Sequence, residues 1–293
     1  MNDEDIIIRY IETTGRCNMR CPVCTKRIRN YDMPEEEYNF IVKRNKDLLK
    51  KQAVWLDFNG EPLMDKFIFE RIKLLKLAGA EARISTNGVL LSEENIEKLI
   101  EAGHSMISVS VMTLDAQMYK IYRGSNDLAL VLHNLLVLKQ KADVSRKPII
   151  IQAVKLDLKD KSENNKFIAY FHSLGIDVAL HKFTNRAQNV ILDLSEELPP
   201  LERHECVGLK QNIVILANCD VVTCCCDYCG NASIGNLKDY NYSVKQLVEQ
   251  SGVFNYPTKR KQLFLTVCEK CKDWLYYQKD TTEEYVELYP VKR

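Results

Sequence analysis

The sequence predicts an α/β protein: βαβ units on a parallel sheet, curved or doubly wound, ahead of a cysteine-rich C-terminal region. Three observations carry this. Apolar, β-branched runs alternate with longer amphipathic stretches over about 180 residues. Glycines stand where helical stretches should stop. The rhythm ends after Phe183, and beyond it cysteines gather.

In chain order, strands are expected at Ile6–Ile11, Val54–Phe58, Ala82–Thr86, Ile107–Val111, Ile149–Val154 and Val178–Phe183. Helices are expected at Glu35–Lys50, Phe67–Leu77, Glu93–Glu101, Leu128–Lys141 and Asn164–Leu174. Ser92, followed by Glu94 and Asn95, looks like an N-cap, and Gly79, Gly103 and Gly175 sit where C-cap glycines would. Short connections favour right-handed crossovers, and such sheets bind ligands at the carboxyl ends of their strands. The Pro-Pro segment 184–205 reads as a connection. "NIVILANCDVVTC" then reads as a hairpin around "ANCD", with short helices at Val244–Gln250 and near Cys271–Tyr277.

Composition narrows the function classes. Lys and Arg number 41 against 40 Asp and Glu, so a net charge of +1 gives no general attraction to nucleic acid or an anionic membrane. No apolar run approaches spanning length, and "MNDEDIIIRY" is no signal peptide, which points to the cytoplasm. In a reducing compartment eleven cysteines mean metal or redox chemistry rather than disulfides. They fall into two groups, Cys17, Cys21 and Cys24, then eight from Cys206 to Cys271, so two sites are expected.

The first group lies in "GRCNMRCPVCTKR", in the loop after the first strand. A closed zinc site needs four protein ligands, and no fourth Cys or His is near. An iron–sulfur cluster tolerates three thiolates when its fourth iron is left for another molecule.

Cys-x3-Cys-x2-Cys in this position resembles the radical S-adenosylmethionine (SAM) enzymes, whose three cysteines hold a [4Fe–4S] cluster with SAM on the fourth iron. "NGEP", Asn59, Gly60, Glu61 and Pro62, resembles the family's GGEP turn, which holds the SAM amino group; Asn59 replaces its first glycine. "ISTNGVLL" resembles the third-strand segment that passes the SAM ribose, implying contacts from Ser85 and Asn87. "ISVSVMTLDAQMYKIYRG" is similar to the fourth-strand segment; Ser110 and Arg123 match it, while Met112 replaces the usual Asp. The resemblance puts Arg123 near the SAM carboxylate, a use suited to a guanidinium fork, and Gln152 beside the SAM. It implies a partial (β/α)6 TIM-like barrel and a flavodoxin- or ferredoxin-type electron donor.

"CDVVTCCCDYCGNASIGNL" with the later Cys268-Glu269-Lys270-Cys271 resembles the SPASM and Twitch extensions of that family. Cys219 stands at their glycine position. The shorter Twitch type, a β-hairpin plus short helix, implies one auxiliary [4Fe–4S] cluster on Cys206, Cys224, Cys268 and Cys271. Cys219, Cys225, Cys226 and Cys229 are left as plain thiols, a hydrogen-atom donor or alternative ligands; a zinc ribbon on Cys226, Cys229, Cys268 and Cys271 is a rival. The domains are then 1–185, a linker 186–205, and 206–293.

Overall the resemblance is to Twitch-type aminocyclitol (2-deoxy-scyllo-inosamine) dehydrogenases, with Lys26, Arg27 and Arg29 available to an anionic group. It implies oxidation or epimerisation of a sugar- or aminocyclitol-like molecule. A ribosomal-peptide maturase is the alternative; only five residues precede the first strand, which favours a small substrate. A non-catalytic iron–sulfur electron carrier is the alternative of another class. His104, His133, His172, His181 and His204 show no metal-binding spacing, and Tyr119 and Tyr122 have the spacing of a packed helix face.

Overall fold

The structure is a computed structural model and describes residues 6–24, 30–183, 190–192, 194, 212–252, 268, 271 and 286–291. Six strands, β1 (Ile7–Ile11), β2 (Ala53–Trp55), β3 (Glu81–Thr86), β4 (Met106–Met112), β5 (Ile150–Asp157) and β6 (Asp177–Lys182), follow one another with helices between them. Each pairs in parallel with the next, and β1 does not pair with β6, so the wall is an open, partial (β/α)6 barrel.

The alternation of side chains builds two environments. Ile8, Val54, Ile84, Ile107, Val109 and Ile151 face the helices and are buried with Ile72, Leu75, Leu99, Leu135 and Leu138. Each such side chain contributes about 1.5–3 kcal/mol. The opposite residues face the barrel interior.

The helices show why the sequence stops them where it does. In α4 (Glu93–Ala102) Ser92 accepts from the Asn95 amide, Ile96, Leu99 and Ile100 form the buried stripe, and Gly103 closes the helix at φ 80°. α3 (Ile68–Leu77), α6 (Leu128–Ser145) and α7 (Lys161–Ser173) match the expected stretches to within a few residues.

One expectation needs correction. The helix expected over Glu35–Lys50 is two pieces, α1 (Glu35–Arg44) and α2 (Lys46–Leu49). Asn45 breaks it: its Nδ2 donates to the Ile41 and Tyr242 carbonyls at 2.8 and 2.7 Å, and its Oδ1 accepts from Val244 N at 2.9 Å. A further helix, α5 (Ala116–Arg123), runs between the Asp115 cap and Gly124 and buries Tyr119, Tyr122 and Arg123.

The C-terminal residues extend the same sheet. β7 (Asn212–Ile215) lies parallel to β1, and β8 (Asp220–Val222) and β9 (Ser233–Asn236) follow antiparallel. α8 (Val244–Ser251) matches the expected helix, and β10 (Val286–Tyr289) pairs antiparallel with β6. The helix expected near Cys271–Tyr277 lies outside the described residues.

Candidate active site

The cysteine loop leaves β1 through a rigid neck. Thr14 and Asp32 form an isolated bridge, Gly15 N donates to Tyr31 O at 2.9 Å, and Met33 N donates to Thr13 O at 2.9 Å. Arg16 completes the neck with Nε and Nη2 on the Asp32 carboxylate at 2.8 and 2.7 Å and Nη2 on the Met64 carbonyl at 2.7 Å. That last bond ties the loop to the residues after the Asn59–Pro62 turn.

Cys17, Cys21 and Cys24 are all half-buried. Cys24 N donates to Cys21 O at 3.0 Å, and the Cys17 thiol accepts from Met19 N at 3.5 Å. Burial pushes the Cys17 and Cys21 thiols up, while Arg123 pulls both down. Among the described residues no group of three Cys, His, Asp or Glu side chains is placed to hold a single metal ion. A four-iron cluster binds its thiolates at separate irons, so its ligands stand further apart. Lys26, Arg27 and Arg29 lie outside the described residues.

The Asn59–Pro62 turn packs directly on this loop. Glu61 N donates to Arg16 O at 2.8 Å, and Pro62 opens a 3₁₀ turn. The Glu61 carboxylate is 2% exposed and accepts from Thr86 Oγ1 and Asn87 N, both at 2.7 Å, and from Leu63 N at 3.2 Å. Burial pushes its carboxyl up and these donors oppose the shift. Asn87 turns its Nδ2 to Asn18 Oδ1 at 2.7 Å and towards the Cys17 sulfur at 3.9 Å. Three of the expected segments thus meet around Cys17.

Arg123, at the end of α5, joins them. Its guanidinium is buried, its Nη2 reaches Met19 Sδ at 3.4 Å, and its Nε has no hydrogen-bond partner among the described residues. Cys21 and Tyr119 are among the groups that stabilise its charge. A buried cation with an unused donor beside three thiols fits an anionic ligand such as a cluster-bound amino acid carboxylate.

A cavity of about 750 Å³ fills the barrel interior, lined from all six parallel strands. Ser85, Ser110 and Gln152 line it, with Ser108 Oγ donating to Gln152 Oε1 at 3.0 Å. Asp57 was not singled out from the sequence, although the interior alternation from Trp55 carries the signal. It lines the cavity and accepts from Ser85 N at 2.7 Å. Burial, opposed by that bond and reinforced by the charge of Glu61, raises its carboxyl to about 8.

Over the cavity lies the loop that holds Cys224 to Cys229. Asp227 folds it by accepting from Asn231 N and Ala232 N at 3.0 and 2.8 Å. Phe58 and Tyr228 stack at 4.7 Å, and Cys225 and Tyr228 line the cavity. Cys219 is a turn residue at φ 70°, the conformation a glycine would take, and its thiol donates to Glu37 Oε2 at 3.0 Å. Cys226 is buried with its thiol against the Cys224, Cys225 and Cys271 side chains, contacts that push its pKa up. Cys271 N donates to Cys268 O at 3.3 Å, so those two share one turn. Cys206 lies outside the described residues.

Residues 11–150 match the radical SAM superfamily model. The chain carries a radical SAM domain, a class that works with a [4Fe–4S] cluster and SAM. It is 30% identical over 165 residues to a probable GTP 3′,8-cyclase of Methanocaldococcus jannaschii, covering 54% of this chain and 53% of that protein. The chain spans less than two thirds of the length of the first curated relatives it matches, 61% and 49% in two further cases. The solved structure of BtrN in complex with AdoMet and 2-DOIA shares the fold at TM-score 0.62 and 18% identity, over 96% of this chain and 98% of that one. Streptococcus suis SuiB bound to precursor peptide SuiA does so at TM-score 0.66 and 15% identity, over 96% and 75%. No helix among the described residues is long and apolar enough to cross a membrane.

Proposed function

We propose that the chain is a radical SAM enzyme that oxidises or epimerises a small, polyhydroxylated, sugar- or aminocyclitol-like molecule. The observation that carries the substrate class is the cavity, whose volume suits a small ligand beside SAM and whose wall presents Asp57 and Ser108 in addition to the residues assigned to SAM below. When bound, the cluster and SAM would supply the one-electron chemistry that takes a hydrogen atom from an unactivated carbon. The protein's own residues position and exclude. Cys17, Cys21 and Cys24 hold the cluster; Glu61 and the turn Asn59–Pro62 take the SAM amino group, Arg123 its carboxylate, and Ser85, Asn87, Ser110 and Gln152 its remaining polar edge. The cavity wall orients a substrate hydroxyl, and the Cys-rich loop excludes water.

The auxiliary cluster belongs to the same proposal, on Cys206, Cys224, Cys268 and Cys271, with domains at 1–185 and 206–293 joined by 186–205. Its support is the contact of Cys271 with the Cys226 thiol beside Cys224 and the shared turn of Cys268 and Cys271. A peptide residue entering the same cavity is the second reading, suggested by the likeness to SuiB with its precursor peptide. A flavodoxin- or ferredoxin-type donor and a cytoplasmic location complete the proposal.

The test offers the anaerobically reconstituted protein a ring-deuterated aminocyclitol with SAM and dithionite. Deuterium in 5′-deoxyadenosine and a ketone or epimer in the product support the substrate class. SAM cleavage without deuterium transfer from any cyclitol, but with transfer from a labelled peptide, replaces it with the peptide reading.

A further inference from the structure

Asn59 stands where the family's turn has its first glycine, and its side chain is engaged on one side only. Nδ2 donates to the Tyr228 carbonyl at 3.1 Å. A carbonyl can only accept, so the orientation of the amide is fixed, and Oδ1 must point the other way. That oxygen is buried without a hydrogen-bond partner among the described residues, on a residue 7% exposed. A buried acceptor left empty carries a desolvation cost that a ligand donor removes.

The surroundings make Asn59 a junction. Its own amide donates to Glu12 Oε1 at 3.1 Å, and Glu12 Oε2 accepts from Ala217 N at 3.0 Å. Phe58, the preceding residue, stacks on Tyr228 with the rings 15° from parallel. The turn that receives a ligand and the loop that covers the cavity therefore touch through the Asn59 amide and through the Phe58 ring beside it. A glycine at this position keeps the backbone bond to Glu12 and lacks the side-chain bond to Tyr228.

We propose that Asn59 is a positioning residue that couples the two sites: Oδ1 accepts from the SAM ammonium while Nδ2 holds Tyr228, so that SAM occupancy orders residues 224–232 over the cavity. This rests on the proposal that SAM lies on the Asn59–Pro62 turn. The ligand class is an amino acid ammonium, a charged donor from which a lone buried amide oxygen can accept. Asn59→Asp separates the two roles, because a carboxylate keeps the acceptor and faces the Tyr228 carbonyl with no donor.

The experiment is hydrogen–deuterium exchange on the reconstituted full chain, with and without saturating SAM, following peptides that cover 219–236. SAM affinity is measured in the same samples by equilibrium dialysis. In the wild type, SAM should slow exchange in 224–232 by about tenfold, the worth of one hydrogen bond to a charged group. Asn59→Gly should bind SAM about tenfold more weakly and lose the slowing. Asn59→Asp should bind SAM as well as the wild type and also lose it. Equal slowing in all three proteins at saturation overturns the coupling and leaves the SAM site standing. A wild type that binds no SAM overturns both.

Discussion

Gly60 packs under the Thr14 carbonyl, so that a Cβ on Gly60 would stand 2.2 Å from that oxygen and 2.7 Å from the Arg16 oxygen. The turn that follows β2 and the loop that follows β1 are in backbone contact with no room between them. Gly60→Ala must push them apart. It is expected to destabilise by at least about 1–3 kcal/mol, and to weaken SAM binding in the molecules that remain folded. Thermal melting with equilibrium dialysis of SAM checks both.

Glu12 holds the other side of the junction. It is fully buried and accepts from Asn59 N and Ala217 N, one oxygen to each. Glu12→Gln keeps one acceptor and turns an amide NH₂ towards a backbone N–H. The expected loss is about 1.5–3 kcal/mol in urea unfolding, the worth of a buried hydrogen bond to a charged group. An unchanged midpoint would mean that Glu12 does not fasten β7 to the barrel.

Asp57 makes stability depend on pH. Its carboxyl is raised by burial to about 8 in the folded chain, against 3.8 as the ordinary value. Below that ordinary value both folded and unfolded chains hold the proton. Between it and about 8 only the folded chain does, so folding takes up a proton and stability falls as pH rises through this window. Asp57→Asn keeps an acceptor for Ser85 N and cannot ionise. Its melting temperature should therefore change less than that of the wild type between pH 5 and pH 8, by about 2–4 °C for each kcal/mol removed. Parallel curves for the two proteins would show that Asp57 ionises normally.

Arg123 offers a fork, and lysine does not. Arg123→Lys should leave the iron content of the reconstituted protein unchanged and weaken SAM binding by about tenfold or more. Iron analysis and dialysis on the same preparation separate cluster loss from ligand loss.

Much of this was legible in the sequence because it is local. β-branched runs, Ser92, Gly103 and the cysteine spacing each act within a few residues, and the six parallel strands follow from them. What escaped is non-local. The pairing of β7 with β1 joins residues about two hundred positions apart, Asn45 breaks a helix by bonding to Tyr242 and Val244, and α5 showed only as the spacing of Tyr119 and Tyr122. Asp57 becomes a candidate only once the strands curve and one face encloses a cavity. Asn59 read as a departure from a glycine motif, and its use appears only when Tyr228 is brought against it. Cys226 shows its contacts with Cys224 and Cys271 only in three dimensions.

The most direct measurement is 5′-deoxyadenosine formed from SAM by the anaerobically reconstituted, dithionite-reduced chain, beside a variant with Cys17→Ala, Cys21→Ala and Cys24→Ala together. Cleavage by the wild type and none by the triple variant is the predicted result. A wild type that carries a full load of iron and sulfide yet leaves SAM intact would contradict it and favour an electron carrier.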